Sequence, residues 1–224
     1  MKVLVFGATG NAGKEIVNHC FADERITKVV IFTRKAVPID IESHPKAEVV
    51  MHQDFSQYPE DMMRRLEGAE VCLWAIGGRI NQFNNDKELC RKVSVEFTLA
   101  AANAMLKYLA DKVPPGKKFR FVFCSGKYSE WNQKRPLLFM ADSRRIKGEV
   151  EKGLCDLADA NADKFETWIL RPSGFIEPNA PLSKRLVGNL YGAITTTQVG
   201  KTMVKVACEG WKDRIIENDA LLKM

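Results

Sequence analysis

Three glycines at three-residue spacing, Gly7, Gly10 and Gly13, follow the first apolar segment of the chain. The segment before them, 1–6, is rich in valine and has the length of a strand that is buried on both faces. The segment after them, 14–21, carries its apolar residues on one stripe and is typical of a helix. A strand, a glycine turn and a helix in this order predict a dinucleotide site.

The physical reason lies in the backbone of the turn. Gly7 allows a tight turn, Gly10 lets main chain approach a pyrophosphate, and Gly13 lets the helix pack closely on the strand. Free N–H groups and the positive end of the helix dipole then face the phosphates. We predict that the cofactor phosphates are held by the residues of this turn: Gly7, Thr9, Gly10, Asn11, Ala12 and Gly13.

The order of residues in the turn, Gly-Ala-Thr-Gly-Asn-Ala-Gly at 7–13, resembles that of the extended and atypical short-chain dehydrogenase/reductases. The resemblance covers nearly the whole chain. It implies an α/β fold with a doubly wound, mostly parallel sheet (Rossmann) and a single NAD(P)-binding domain over 1–224. Larger members insert a substrate-binding lobe near 178–185, where this chain is expected to have only a loop. We therefore expect a minimal substrate-side segment at about 174–224.

Composition narrows the classes of partner. The chain has 224 residues, 46% of them hydrophobic and 28% charged, as in a globular protein with one core. The net charge of +6 is dispersed among acidic residues, so we predict no nucleic-acid partner. No apolar run reaches the roughly 18 residues of a membrane span, and we expect neither a membrane partner nor a signal peptide. Six scattered cysteines favour a cytoplasmic protein with reduced thiols and no metal site. We further expect a monomer or homodimer that acts on a small-molecule substrate.

The end of the second predicted strand, 27–33, indicates which dinucleotide is bound. Arg34 and Lys35 stand there, about 20 residues after Gly13, where an NAD site usually has an acidic residue for the ribose hydroxyls. An arginine can instead bind a 2′-phosphate through two parallel hydrogen bonds. The sequence therefore predicts NADP(H).

Three further strand ends complete the predicted cofactor site. The third strand, 47–52, is followed by an acidic–hydrophobic pair that resembles the adenine-binding position of short-chain reductases. The fourth strand, 69–75, ends in small residues suited to a close approach of backbone. The sixth strand, 165–170, precedes a stretch similar to the Arg-Pro-Gly loop that passes the nicotinamide in the family. The residues implied at these three places are Asp54, Phe55, Ala75, Ile76, Gly77, Pro172 and Ser173.

The fifth strand, 119–124, and the long helix predicted over 137–158 carry the candidate catalytic residues. Ser125 stands at the carboxyl tip of the strand, where the family keeps its substrate-orienting serine. The family's Tyr-x-x-x-Lys signature is matched at Lys147, which would also hold the nicotinamide ribose. The tyrosine is replaced by Ser143, and an aliphatic hydroxyl is a far weaker acid than a phenol.

Three interpretations of the missing tyrosine remain open. Another group donates the proton: Tyr128, which lies three residues beyond Ser125, or Lys147, or water. Alternatively, the substrate needs little acid assistance, as in the biliverdin/flavin reductase-like members. Finally, the site binds its cofactor without chemistry, as in the NmrA-like regulators.

The leading hypothesis from the sequence is an NADPH-dependent reductase of a small organic carbonyl or conjugated substrate. The Lys147-Gly-Glu-Val-Glu stretch is similar to that of the Tat-interacting-protein-like reductases, and the retained Ser125 and Lys147 favour an enzyme, whereas the missing tyrosine favours a regulator. The alternatives are a catalytically silent NADP(H)-binding regulator and a redox-neutral isomerase or cyclase on the same fold.

Overall fold

The computed structural model describes residues 1–177, 180–181 and 192–224. Of the loop predicted at 178–185, only 180–181 belongs to this part of the chain, and the rest lies outside the described residues. The described strands are β1 (Lys2–Phe6), β2 (Lys28–Thr33), β3 (Ala47–Met51), β4 (Ala69–Trp74), β5 (Phe119–Cys124), β6 (Phe165–Arg171), β7 (Phe175–Ile176), β8 (Ile194–Thr195) and β9 (Ile215–Glu217). The described α-helices are α1 (Asn11–Ala22), α2 (Ile39–Glu42), α3 (Glu60–Arg64), α4 (Lys87–Arg91), α5 (Phe97–Tyr108), α6 (Ala141–Ala160), α7 (Thr196–Glu209) and α8 (Asn218–Leu221).

The central sheet has seven strands in the order β3-β2-β1-β4-β5-β6-β9, and every neighbouring pair is parallel. The chain moves outward from β1 to β3 and then returns to the other side of β1 with β4. In such sheets ligands bind outside the carboxyl ends of the strands, at the point where the order reverses. The predicted α/β fold with a doubly wound parallel sheet is confirmed.

Each face of the sheet is covered by helices because the strands alternate their buried side chains. Leu4 and Phe6 of β1 point into the core beneath α3, α5 and α6, whereas Val3 and Val5 face α1 and α7. The Phe6 ring stacks between Phe32 at 4.5 Å and Trp74 at 4.6 Å. Each such aromatic pair contributes roughly 0.5–1.5 kcal/mol beyond its buried area.

The last described segment, 192–224, adds one helix to the layer that contains α1 and one strand to the central sheet. Helix α7 packs on α1 so closely that a Cβ on Gly200 would lie 2.6 Å from the backbone of Glu15. Strand β9 extends the sheet beyond β6. The substrate-side segment expected at about 174–224 stays a prediction, and within it α7 and β9 form part of the main core.

The long helix α6 differs from the sequence prediction at its start. The helix predicted over 137–158 begins only at Ala141, and the preceding residues are exposed because no core surface lies beneath them. Met140 adopts a left-handed conformation with φ 48°, which stops the helix from extending backward. Between α4 and α5 the backbone forms a π-helical turn, Lys92–Glu96, a feature often found near functional sites.

Candidate active site

The glycine turn has the geometry that its sequence predicts. Gly7 has φ 87°, and a Cβ there would lie 2.7 Å from the carbonyl oxygen of Ala75 at the end of β4. A Cβ on Gly13 would lie 1.9 Å from the carbonyl oxygen of Gly7, so helix α1 can pack on the turn only without a side chain. These two glycines let β1, β4 and α1 meet at one edge of the sheet.

Gly10 has a different environment from the other two. It is exposed, and the nearest atom to a Cβ built there is 3.3 Å away. Gly10 is also the N-cap of α1, and no side chain of the described chain caps this helix start. Thr9 and Asn11 are exposed beside it, while Ala12 is buried. Uncapped N–H groups at the end of a 12-residue helix suit a phosphate.

At the end of β2 the backbone is fixed and the basic side chains are exposed. Thr33 Oγ1 donates to the carbonyl oxygen of Lys35 at 2.6 Å and accepts from its N–H at 3.1 Å. Gln53 Nε2 donates to the carbonyl oxygen of Arg34 at 3.2 Å. Neither basic side chain forms an ion pair with a carboxylate of the described residues. Both cations thus stay available to an anion at this edge.

The strand ends of β3 and β4 contribute mainly backbone. Asp54 Oδ1 accepts from Ser56 N at 2.9 Å and from Ser56 Oγ at 2.6 Å, and these bonds lower the pKa of Asp54. The Phe55 ring is buried in the core, so this residue offers main chain to the edge of the sheet. Ala75 and Ile76 are partly buried beside the glycine turn, and Gly77 is exposed with φ 130°.

The structure brings Lys147 and Ser125 together at the end of β5. Lys147 Nζ donates to the carbonyl oxygen of Ser125 at 3.1 Å. The aliphatic part of Lys147 lies against Gly126, where a Cβ would be 3.2 Å from Lys147 Cε. Burial lowers the pKa of Lys147, and the nearby Cys124 and Glu151 raise it in part. The ammonium group is therefore positioned at the end of β5 and is more acidic than an exposed lysine.

The hydroxyl of Ser125 contacts a buried carboxylate, whereas Lys147 binds the carbonyl oxygen of the same residue. Ser125 Oγ donates to Glu151 Oε1 at 2.5 Å, and Glu151 is 0% exposed. A carboxylate only accepts hydrogen bonds, so the Ser125 proton is directed to Glu151. The same carboxylate accepts from Trp131 Nε1 at 2.8 Å and pairs with Arg171 Nη2 at 2.5 Å.

Glu151 is a site residue that the sequence prediction missed. It lies four residues after Lys147 on α6, so both side chains share one face of the helix. This four-residue spacing was the sequence signal that could have identified Glu151. It places the glutamate on the buried face of the helix, where a charged side chain needs partners.

Ser143, which the family resemblance sets at the position of the tyrosine, has a structural contact. Ser143 Oγ accepts from the N–H of Ile80 at 3.1 Å and is only 7% exposed. Ile80 begins a 3-10 helix, Ile80–Phe83, in the loop after β4. This hydroxyl thus anchors the loop after β4 on α6.

Tyr128 is 53% exposed and has φ 69°, a conformation uncommon for a residue with a side chain. Its ring packs edge-on against Phe139 at 5.8 Å and lies near the cations of Lys127 and Arg144, at 5.1 Å and 5.8 Å. Among the described residues, its hydroxyl makes no hydrogen bond to Ser125, and the role of Tyr128 as a proton donor stays a prediction.

The loop after β6 is held by hydrogen bonds on both sides. The carbonyl oxygen of Pro172 accepts from Lys127 N at 2.7 Å, which joins this loop to the one after β5. Ser173 N donates to Asn218 Oδ1 at 2.9 Å, and Ser173 Oγ donates to the carbonyl oxygen of Gly192. The loop is therefore stiff beside the Ser125 site.

Together these features form one continuous edge. The glycine turn, the Arg34 side chain, the ends of β4 and β5, Lys147 and the loop after β6 all lie at the carboxyl ends of parallel strands. An uncapped helix start for phosphates and basic side chains with no acidic partner fit a dinucleotide. The fold and this edge define a Rossmann protein with a nicotinamide dinucleotide site.

Comparison with known proteins identifies the family. A model of the NAD(P)H-binding family matches residues 7–209, and the chain belongs to this family. This confirms the expected class of cofactor. The NAD(P)-binding family and the fold that the resemblance to short-chain dehydrogenase/reductases implies are confirmed.

Solved structures share the fold at low sequence identity. A short-chain dehydrogenase/reductase from Saccharomyces cerevisiae has a TM-score of 0.73 and 15% identity, covering 100% of this chain and 99% of the other. The methylglyoxal/isovaleraldehyde reductase Gre2 from yeast, complexed with NADPH, has a TM-score of 0.70 and 18% identity, covering 96% and 78%. A UDP-glucose 4-epimerase from Thermotoga maritima has a TM-score of 0.68 and 15% identity, covering 100% and 81%.

A curated relative is similar over part of the sequence. The leucinostatins biosynthesis cluster protein T of Purpureocillium lilacinum is 26% identical over 122 residues, which is 54% of this chain and 42% of that protein. The alignment thus spans less than half of the relative. In the part of the chain that the structure describes, no helix is long and apolar enough to cross a membrane.

Proposed function

We propose that this protein is an NADPH-dependent reductase of a small organic carbonyl or conjugated substrate. The observation that carries the proposal is the contact between Lys147 Nζ and the carbonyl oxygen of Ser125, 3.1 Å apart at the carboxyl end of β5. It holds a cationic donor beside the strand end where sheets of this kind bind their ligands.

The proposed cofactor residues divide by task. The main chain of the glycine turn and the start of α1 would bind the diphosphate, and Arg34 with Lys35 would bind a 2′-phosphate. Asp54, Phe55, Ala75, Ile76 and Gly77 would border the adenosine and ribose, and Pro172 with Ser173 the nicotinamide. When bound, NADPH supplies the hydride.

The proposed proton donor is Lys147 or a water molecule that it holds. Tyr128 is held among other side chains, and the Ser125 proton is directed to Glu151. Ser125 would therefore orient a substrate by accepting a hydrogen bond.

The test is NADPH oxidation across a panel of aldehydes, ketones, quinones and conjugated enones. We expect turnover that falls by about 100-fold or more in Lys147→Ala, as is typical when general acid catalysis is lost. Lys147→Arg keeps the charge and is the matched control for ribose binding. Turnover that is unchanged in Lys147→Ala would contradict the assignment of Lys147.

The second candidate is an NADP(H)-binding regulator, and it is favoured by the contact between Ser143 and Ile80. That contact commits the hydroxyl at the tyrosine position to a loop. Tight NADPH binding without turnover on the whole panel would support the regulator over the reductase.

A further inference from the structure

A polar cavity of about 340 Å³ adjoins the Ser125 site, on the side of the loop that follows β5. Ser129 lines this cavity, and its Oγ is 3.2 Å from Ser125 Oγ. Arg171, which also lines it, pairs with Glu151 behind Ser125. The contact between Ser129 and Ser125 therefore links the cavity to the end of β5.

Charged side chains dominate the lining of this cavity: Lys127, Glu130, Arg135, Arg144, Arg171 and Glu217. Both carboxylates already have partners. Arg135 Nη1 lies 3.0 Å from Glu130 Oε2, and Arg171 Nη1 lies 2.8 Å from Glu217 Oε1. The acidic side chains are thus balanced by two of the four cations.

Lys127 and Arg144 are the cations that lack such a partner. Within the described residues neither forms an ion pair with a carboxylate. Residues 178–179 and 182–191 contain no aspartate or glutamate, so they add no candidate carboxylate. The cavity therefore has an excess of positive charge that the described chain does not neutralise, and such an excess attracts anions.

Arg144 is held in place with its terminal nitrogens available. Its Nε donates to the carbonyl oxygen of Tyr128 at 2.7 Å, and its guanidinium lies over the Phe139 ring at 4.7 Å. Its two terminal nitrogens make no hydrogen bond among the described residues. Lys127 Nζ lies 5.1 Å from the centre of the Tyr128 ring. A fixed guanidinium and an ammonium that line the same cavity are suited to an oxyanion.

We propose that this cavity binds an anionic group of the substrate, a carboxylate or a phosphate, through Lys127 and Arg144. The inference rests on the proposed reductase function and narrows its substrates to organic anions. The anionic group would lie in the cavity, near Tyr128, while the reacting carbon of the same substrate lies beside Ser125 and Lys147.

Three probes with one reacting group test this proposal: 4-carboxybenzaldehyde, 4-formylphenyl phosphate and the neutral methyl 4-formylbenzoate. Their binding is measured by calorimetry with the full chain, alone and saturated with NADP⁺, so that no turnover is needed. We expect one or both anions to bind about tenfold or more tightly than the ester, as a charge-assisted pair implies. The preferred anion distinguishes a carboxylate site from a phosphate site.

The variants are Lys127→Gln and Arg144→Gln, with Lys134→Gln as the control that removes one charge from the same loop outside the cavity. We expect the anion preference to fall about tenfold in the first two and to persist in the control. Lys127 makes no side-chain hydrogen bond in the described structure, so its variant keeps the test valid if Arg144→Gln disturbs the loop.

Two results would overturn the anion site: equal affinity for the three probes, or an equal loss in Lys134→Gln. Failure of NADP⁺ to bind would instead remove the proposed function. Anion affinity of the protein alone would still be measured in that case, so the two failures are separable.

Discussion

Ser125 Oγ donates its hydrogen bond to Glu151 Oε1, 2.5 Å away, and the accepting carboxylate is fully buried. The serine at the tip of β5 is thus part of the support for a buried charge. Its hydroxyl can accept from a ligand, whereas its proton is already committed. Ser125 can therefore orient a ligand only as a hydrogen-bond acceptor, while its proton supports the Glu151 carboxylate.

The first prediction concerns the stability contribution of this contact. Ser125→Ala removes one donor from a buried carboxylate and should lower the free energy of unfolding by about 1–3 kcal/mol. Urea unfolding at neutral pH measures the change. Ser129→Ala is the matched control, because Ser129 Oγ donates to the main-chain carbonyl of Gly126 at 2.7 Å. An equal loss of unfolding free energy in both variants would show that the Ser125 hydrogen bond gives no specific stabilisation to the Glu151 carboxylate.

The second prediction separates the two dinucleotides. Arg34→Ala should weaken NADPH binding by about 1.5–3 kcal/mol, the usual range for a hydrogen bond to a charged group. NADH binding should change little, because NADH has no 2′-phosphate. Fluorescence titration with both cofactors measures this difference. Lys118→Ala removes an exposed charge before β5, at the opposite edge, and should affect neither cofactor. Equal losses for NADPH and NADH in Arg34→Ala would contradict the assignment.

The third prediction follows from the lowered pKa of Lys147, which burial causes and which Cys124, Glu151 and Cys90 partly oppose. The ammonium form exists below this pKa and is lost above it. We expect kcat for NADPH oxidation to fall as pH rises through a value below the ordinary lysine pKa of 10.5. Lys147→Arg stays charged over this range and should lack that decline.

The same pKa shift predicts a stability effect of known sign. Between the lowered pKa and 10.5 the unfolded chain binds more protons at Lys147 than the folded chain. The wild type should therefore gain stability relative to Lys147→Met as pH rises through that window. Denaturant unfolding at several pH values measures the difference. A constant difference would mean that Lys147 is not desolvated in solution.

The fourth prediction compares two glycines of one turn. Gly13→Ala puts a Cβ 1.9 Å from the carbonyl oxygen of Gly7, so unfolding should become easier by about 1–3 kcal/mol or more. Gly10→Ala would place its Cβ 3.3 Å from the same oxygen, a close contact that needs only a small shift, and should lose much less stability than Gly13→Ala. It should instead weaken NADPH binding, because the methyl group would lie in the path of the diphosphate. Thermal unfolding and cofactor titration of both variants test the pair.

Local pattern was sufficient to predict the sheet and the glycine turn. Buried parallel strands have continuous apolar segments, and the spacing of Gly7, Gly10 and Gly13 reports backbone constraints directly. The placement of Lys147 and Ser125 at one site was an expectation from the family resemblance, and the structure brings the two residues within hydrogen-bond distance.

Other features depend on contacts between distant residues, which a linear pattern does not contain. The start of α6 at Ala141 depends on the absence of core beneath 137–140, where Leu138 is 104% exposed. The burial of Glu151 depends on Arg171 and Trp131 from two other segments. Both features arise from tertiary packing, and at 137–140 this packing overrides the local helix preference.

The bond between Ser143 and Ile80 has a consequence for protein engineering. Installing a phenol at 143 by one substitution would set an aromatic ring against the main chain of a neighbouring loop that now depends on the smaller hydroxyl. We expect such a graft to need a rebuilt 80–83 segment before it can act as an acid. The chemistry available at this edge is thus restricted by loop architecture as well as by the identity of one side chain.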